Sequence, residues 1–215
     1  MNKRTRRFIV YAIGMFVLAL GLTLNTKADL GVSPIISVPY SISQITGYNF
    51  GDLTFVVHAL FVVVQMVIHL NLKKNKKIMS DLLQLPLSLI FTRLLNIFST
   101  YIPTSQNLGI RFIVLAFAII CTGVGAAMSL SMQLVPNPGD GIVQALAERF
   151  NKSVGLTKNL FDCFNLCITL CISIFIAHQI VGVGIGTVIA VLGVGRVIAL
   201  FHHIFECKIE ELICE

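Results

Sequence analysis

The sequence predicts an all-α, polytopic transmembrane helix bundle: six spans, arranged as two inverted three-helix repeats with a short broken helix in each half. Three observations predict it. Charged residues make up 12% of the 215, where a soluble domain has about 25%, while 56% are apolar and the mean hydropathy is +0.87. Six windows of mostly apolar residues are long enough to cross a hydrocarbon core of about 30 Å. The chain also repeats itself at one offset. So little charge cannot clothe a soluble globule of this size, which excludes a soluble enzyme. So apolar a chain must bury its side chains, which excludes disorder.

The spans fall at residues 8–25, 53–72, 82–102, 112–132, 159–178 and 181–202. The first follows Lys3-Arg4-Thr5-Arg6-Arg7 and superficially resembles a signal peptide. Its apolar stretch is long for one, and only Thr26-Lys27-Ala28 resembles a cleavage site, so it reads as a retained helix. With the N-terminus in the cytoplasm, 12 of the 16 basic residues lie inside. These are Lys3, Arg4, Arg6 and Arg7, then Lys73, Lys74, Lys76 and Lys77, then Arg149, Lys152, Lys158 and Lys208. Only Lys27 and Arg111 fall outside, and Arg93 and Arg196 lie within spans. That asymmetry puts both termini in the cytoplasm of a bacterial plasma membrane. The net charge of +6 is answered by anionic lipid headgroups and needs no nucleic acid.

The repeat is the most informative feature. Arg7-Phe8-Ile9-Val10 recurs as Arg111-Phe112-Ile113-Val114, an offset of 104 that also maps Gly21 onto Gly125, Pro34 onto Pro138 and Gly51 onto Gly155. At an offset of 103, Arg93 and Phe98 map onto Arg196 and Phe201. The first repeat is then residues 1–104 and the second 105–215, within a single membrane domain. Each holds three spans, and three is odd, so the second enters the membrane from the opposite side. Inverted repeats are typical of transporters, whose sites lie near the midplane where the repeats meet.

Between the first two spans of each half lies a Pro-led segment, residues 31–43 and 135–146. About 12 residues of helical spacing are too few to cross a bilayer. Two readings compete: a helix lying at the interface, and a half-helix dipping in, whose free N–H groups would face a polar or anionic solute.

These segments carry a family resemblance. Gly31-Val32-Ser33-Pro34 before a short helix, the turn Thr46-Gly47-Tyr48-Asn49-Phe50-Gly51, and the later Gly182-Val183-Gly184-Ile185-Gly186-Thr187 together resemble the bacterial YczE/YyaS/YitT membrane proteins, closest to the YczE-like branch. The resemblance implies a multi-pass bacterial membrane protein and carries no settled activity. Where that family has an aromatic-acidic pair after the first Pro, this chain reads Ile35-Ile36, while the second half keeps Asp140 at the matching place.

Polar residues within the spans supply the candidate site. Arg93 and Arg196 read as deep cations, which normally face protein or water. They would lock the broken segments or hold a substrate's charge. A solute site would draw on Ser33, Pro34, Ser37, Tyr40, Asn137, Pro138, Asp140 and Gln144 beside them. Asp162 reads either as an i,i+4 partner of Lys158 or, with His58 at the symmetric depth, as a proton or ion carrier. Gln65, His69, Gln84, Asn96 and Asn165 read as single groups bonding across helices. Cys163, Cys167 and Cys171 read as a helix-packing stripe, with Cys121 in a span and Cys207 and Cys214 in the reducing cytoplasm. No metal site or cofactor is implied, and His202-His203 near Glu206 reads as interfacial anchoring. Enzyme motifs are absent. The sequence therefore points to a small-solute permease. Its rivals are an accessory membrane protein that binds a partner and an aquaporin-like channel; a homodimer is open in each case.

Overall fold

The computed structural model describes residues 2–213, without the side chains of 206–208 and 210–213. Cys214 and the side chains of Glu206, Cys207 and Lys208 therefore lie outside the described residues. Every regular element among the described residues is helical. In order these are α1 (Lys3–Ala28), α2 (Pro34–Thr46), α3 (Phe50–Asn71), α4 (Asn75–Tyr101), α5 (Leu108–Ser131), α6 (Pro138–Phe150), α7 (Val154–Ile172) with a π-helical turn (Ser173–Ala177), and α8 (Ile185–Ile213). Six are long and apolar enough to cross a membrane: α1, α3, α4, α5, α7 with its π turn, and α8. The other two, α2 and α6, have 13 residues each, about 20 Å of helix.

Local chemistry sets these bounds. Asn137 accepts from the Gly139 N–H and Pro138 opens α6, where its missing N–H costs nothing. Asn151, in the left-handed region at φ 53°, closes α6. Pro34 opens α2 in the same way, and Gly47 at φ +76° ends it. The short helices thus start and end 104 residues apart, and so do the starts of α3 and α7. Two predicted bounds move. α4 begins at Asn75 rather than 82, so Lys76 and Lys77 sit in its first turn and not in a loop. α8 begins at Ile185 rather than 181, because Gly182 (φ +80°) turns the chain first.

Contacts gather the chain into two compact units, and neither is one half of the sequence. Unit 1 comprises Met1–Ser33, Leu94–Leu134 and Gly184–Glu215; unit 2 comprises Pro34–Arg93 and Val135–Val183.

Unit 1 is built on α1 against α5, with α8 packed on α5. A Cβ on Gly21 would lie 2.4 Å from the Thr122 nitrogen, and one on Gly125 would lie 2.4 Å from the Leu18 nitrogen. Both pairs sum to 143, so the helices run antiparallel, and the 104 offset exchanges one pair for the other. Two arginines obey the same exchange. Arg7 Nη2 donates to the Met132 carbonyl (2.6 Å) just past the end of α5. Arg111 Nε donates to the Ala28 carbonyl (2.9 Å) at the end of α1. A cation at a helix C-terminus satisfies orphan carbonyls and opposes the dipole. Arg111 also pairs with Asp29. The glycine-rich motif seats here: the Leu30 carbonyl accepts from the Gly186 N–H (2.7 Å), and a Cβ on Gly184 would lie 2.5 Å from that oxygen.

In unit 2 each short helix packs against both α3 and α7. Ile68, Ile142, Val143, Ala145 and Phe161 form its apolar core.

Candidate functional site

The polar residues worth explaining are those unit 2 buries, because a polar group withdrawn from water costs free energy unless it is bonded. In α2, the Ser37 hydroxyl lies 2.7 Å from that of Thr169 on α7, and neither residue is exposed at all. One turn on, Ser41 lies 2.9 Å from Ser173, and both reach toward the Val181 carbonyl. Adding or subtracting 104 carries Ser37 to Gly141 and Thr169 to Gln65. Those two residues also meet, since a Cβ on Gly141 would stand 2.4 Å from Gln65 Oε1. The first turn of each short helix therefore touches a buried polar side chain at equivalent places.

The second contact continues further than the first. Gln65 Nε2 donates to the Pro138 carbonyl (3.2 Å), and Gln65 Oε1 accepts from Gln84 Nε2 (2.9 Å). Gln84 Nε2 reaches Asp81 Oδ1 at 3.5 Å, and Asp81 Oδ2 lies 2.6 Å from His69 Nδ1. All four side chains are buried. Gln84 Oε1 is buried with no partner among the described residues, a condition that costs about 1–3 kcal/mol. Sequence reasoning treated Gln65, Gln84 and His69 singly and passed over Asp81. Helical spacing held the signal: Gln65 and His69 share one face of α3, as Asp81 and Gln84 share one of α4.

The predicted site residues divide. Pro34, Ser37, Asn137 and Pro138 are buried at the starts of the short helices. The Ser33 N–H donates to Asn25 Oδ1 (2.6 Å) in unit 1. Tyr40 is half-buried, edge-on to Phe50. Asp140 is partly buried in the first turn of α6; desolvation raises its carboxyl above the ordinary carboxylate range, with the Lys158 charge pulling partly back. Gln144, one turn on, is exposed, and with the half-buried Glu148 it forms the less buried stripe of α6. Farther along that stripe Glu148 holds Lys74 (2.7 Å) and Lys77.

The arginines do something other than expected. Arg93 Nη1 lies 2.9 Å from Asp52 Oδ1, in the first turn of α3, and both side chains are more than half exposed. An opposite charge at a helix end thus draws the guanidinium away from the span's middle. Arg196 is exposed on α8. His58 Nδ1 lies 2.7 Å from Ser88 Oγ, and Asp162 lies 3.6 Å from Lys158, so the two are engaged with separate partners. The cysteine stripe is also corrected. Cys163, Cys167 and Cys171 are exposed on α7, whose inward face is taken by Asn165, Thr169 and Ser173. No group of side chains suited to a metal occurs among the described residues.

Six spanning helices with buried polar contacts between them define a multi-pass integral membrane protein. The chain belongs to a family of unknown function, DUF6198, whose model matches residues 5–203. It is similar to an uncharacterized protein of Haemophilus influenzae, 24% identical over 201 residues, covering 94% of this chain and 84% of the relative. No solved structure matches it.

Proposed function

We propose that this protein is a small-solute permease whose site lies in unit 2, at the first turns of α2 and α6. The observation that carries the reading is the pair of equivalent contacts, Ser37 with Thr169 and Gly141 with Gln65. Short Pro-led helices from two repeats, each presenting its first turn to buried polar side chains, are what transporter sites are made of. Gln84 Oε1 offers a buried, unpartnered acceptor to a solute N–H or O–H. The groups at these first turns are chiefly hydroxyls and amides, so the solute is a small polar one rather than an anion held by Arg93, which Asp52 already engages. The buried His69–Asp81 pair takes the ion-coupling role, in place of His58 and Asp162, which are engaged with separate partners. The two repeats are inverted, both termini are cytoplasmic in a bacterial plasma membrane, and the resemblance to YczE-like proteins belongs to this same reading.

Arg196 favours a second reading. A cation exposed on a spanning helix costs about 2.5–3.5 kcal/mol in lipid, so an accessory protein would cover α8 with a partner. One experiment separates the two. Melting of the purified protein against a metabolite panel, for wild type and Gln65→Leu, is followed by flux in proteoliposomes. A solute at 100 times its dissociation constant should stabilise wild type by about 2.7 kcal/mol and cross saturably. A folded Gln65→Leu should lose both effects. No response to any solute, with a stoichiometric partner co-purifying, would overturn the permease in favour of the accessory protein.

A further inference from the structure

We infer that unit 2 carries a binding site for one anionic phospholipid, in a groove between α3 and α7 that the short α6 leaves unfilled. The groove has a volume of about 560 Å³, within the range of sites that hold a ligand. Phe61 and Val64 of α3, Leu146 and Phe150 of α6, and Phe161 and Phe164 of α7 line it. The cause is a difference in length. α3 has 22 residues and α7 with its π turn has 24, while α6 between them has 13. Two spanning helices thus flank a helix that gives out part of the way. Water would find almost nothing to bond to on such walls. An acyl chain fits them.

The headgroup follows from the one charge in the lining, Lys152, which stands in the turn between α6 and α7. Three other lysines of unit 2 are engaged: Lys158 with Asp162, and Lys74 and Lys77 with Glu148. No carboxylate among the described residues lies within ion-pair distance of Lys152. An ammonium held over an apolar groove opening on the bilayer is complementary to a lipid phosphate with a chain below it. At the 104 offset the first half has Tyr48 where the second has Lys152. The cation therefore marks one of two equivalent positions, and the lipid comes from the leaflet on that side.

Native mass spectrometry of the purified, delipidated protein tests this, with phosphatidylglycerol and phosphatidylcholine of identical chains added in turn. Wild type should retain one phosphatidylglycerol in preference to phosphatidylcholine by about fivefold, the equivalent of about 1 kcal/mol for one lysine near a lipid surface. Lys152→Glu should abolish the preference while keeping the melting temperature. Leu146→Trp, which fills the groove, should lower retention of both lipids; Val64→Trp serves if that variant fails to fold. Equal retention of the two lipids by wild type, or an unchanged preference in Lys152→Glu, would overturn the site. So would a dimer mass that disappears in the groove-filling variant with lipid retention intact, because the occupant would then be a second copy of the chain.

Discussion

Asp140 has a free-energy cost to bear whatever its task, because desolvation disfavours its charged form and Lys158 offsets only part of that. Its folded-state pKa lies above the ordinary value of 3.8. The folded state therefore binds a proton that the unfolded state has already released. Stability is unaffected below about 3.8 and declines as pH rises from there through the raised pKa. Asp140→Asn removes the ionisable group and keeps the Asn137 cap. The variant should melt higher than wild type at pH 7–8, and the gain should vanish near pH 4. Melting curves of both proteins across that range check it; a gain independent of pH would mean that packing, not ionisation, is at issue. Glu148 has the opposite sign. Burial raises its carboxyl, but Lys74 and Lys77 outweigh that and hold it below 4.5. Its contribution is present above that value and lost as pH falls through the depressed pKa, which deepens the acid loss in wild type and variant alike. Any site residue that is costly in this way is better explained by function than by stability.

Helices meet in this protein where side chains are missing. The α1–α5 contact places Gly21 and Gly125 against backbone nitrogens that can move only if a whole helix moves. Gly125→Ala should cost about 1–3 kcal/mol, the range for overpacking. Gly155, in the first turn of α7, has nothing within 4 Å of a would-be Cβ. Gly155→Ala should be neutral or gain up to about 1 kcal/mol of helix propensity. Denaturant titration in detergent of both variants separates close approach from a general intolerance of alanine. At this scale the sequence was largely legible. Hydropathy located all six spans, and Pro34 and Pro138 located the starts of the short helices, because span length and backbone punctuation are local properties. The site was only partly so. Ser37 and Pro138, candidates on the two Pro-led segments, are buried in polar contacts, but the Gln65–Gln84 and His69–Asp81 contacts join α3 to α4, and no periodicity reports which faces of two helices meet. Arg93 was misread for the same reason, since Asp52 lies 41 positions away and becomes a partner only when α4 folds beside the start of α3.

The way the halves share the two units bears on how the molecule is built. Unit 1 takes α1 from the first half and α5 and α8 from the second, and unit 2 takes α2 and α3 from one and α6 and α7 from the other. Residues 1–104 alone would leave Gly14, Leu18 and Gly21 of α1 without the helix they pack on, and would leave Gln65 without the Pro138 carbonyl. A bilayer can solvate the apolar face so exposed, but it offers nothing to the polar one. The isolated first half should therefore be degraded or aggregate, as should residues 105–215. Expressed together as separate chains, the two should assemble one-to-one, because each spans the membrane by itself and association is driven by packing and buried hydrogen bonds. Size-exclusion chromatography of the co-expressed, singly tagged halves checks this. Gly125→Ala in the second chain should weaken the complex, since the α1–α5 contact then joins two molecules rather than two parts of one. A first half that purifies alone as a folded monomer would show that the halves are independent after all. A first half that pairs with itself would show something narrower: the antiparallel exchange between α1 and α5 tolerates α1 on both sides, as a contact descended from one duplicated chain would.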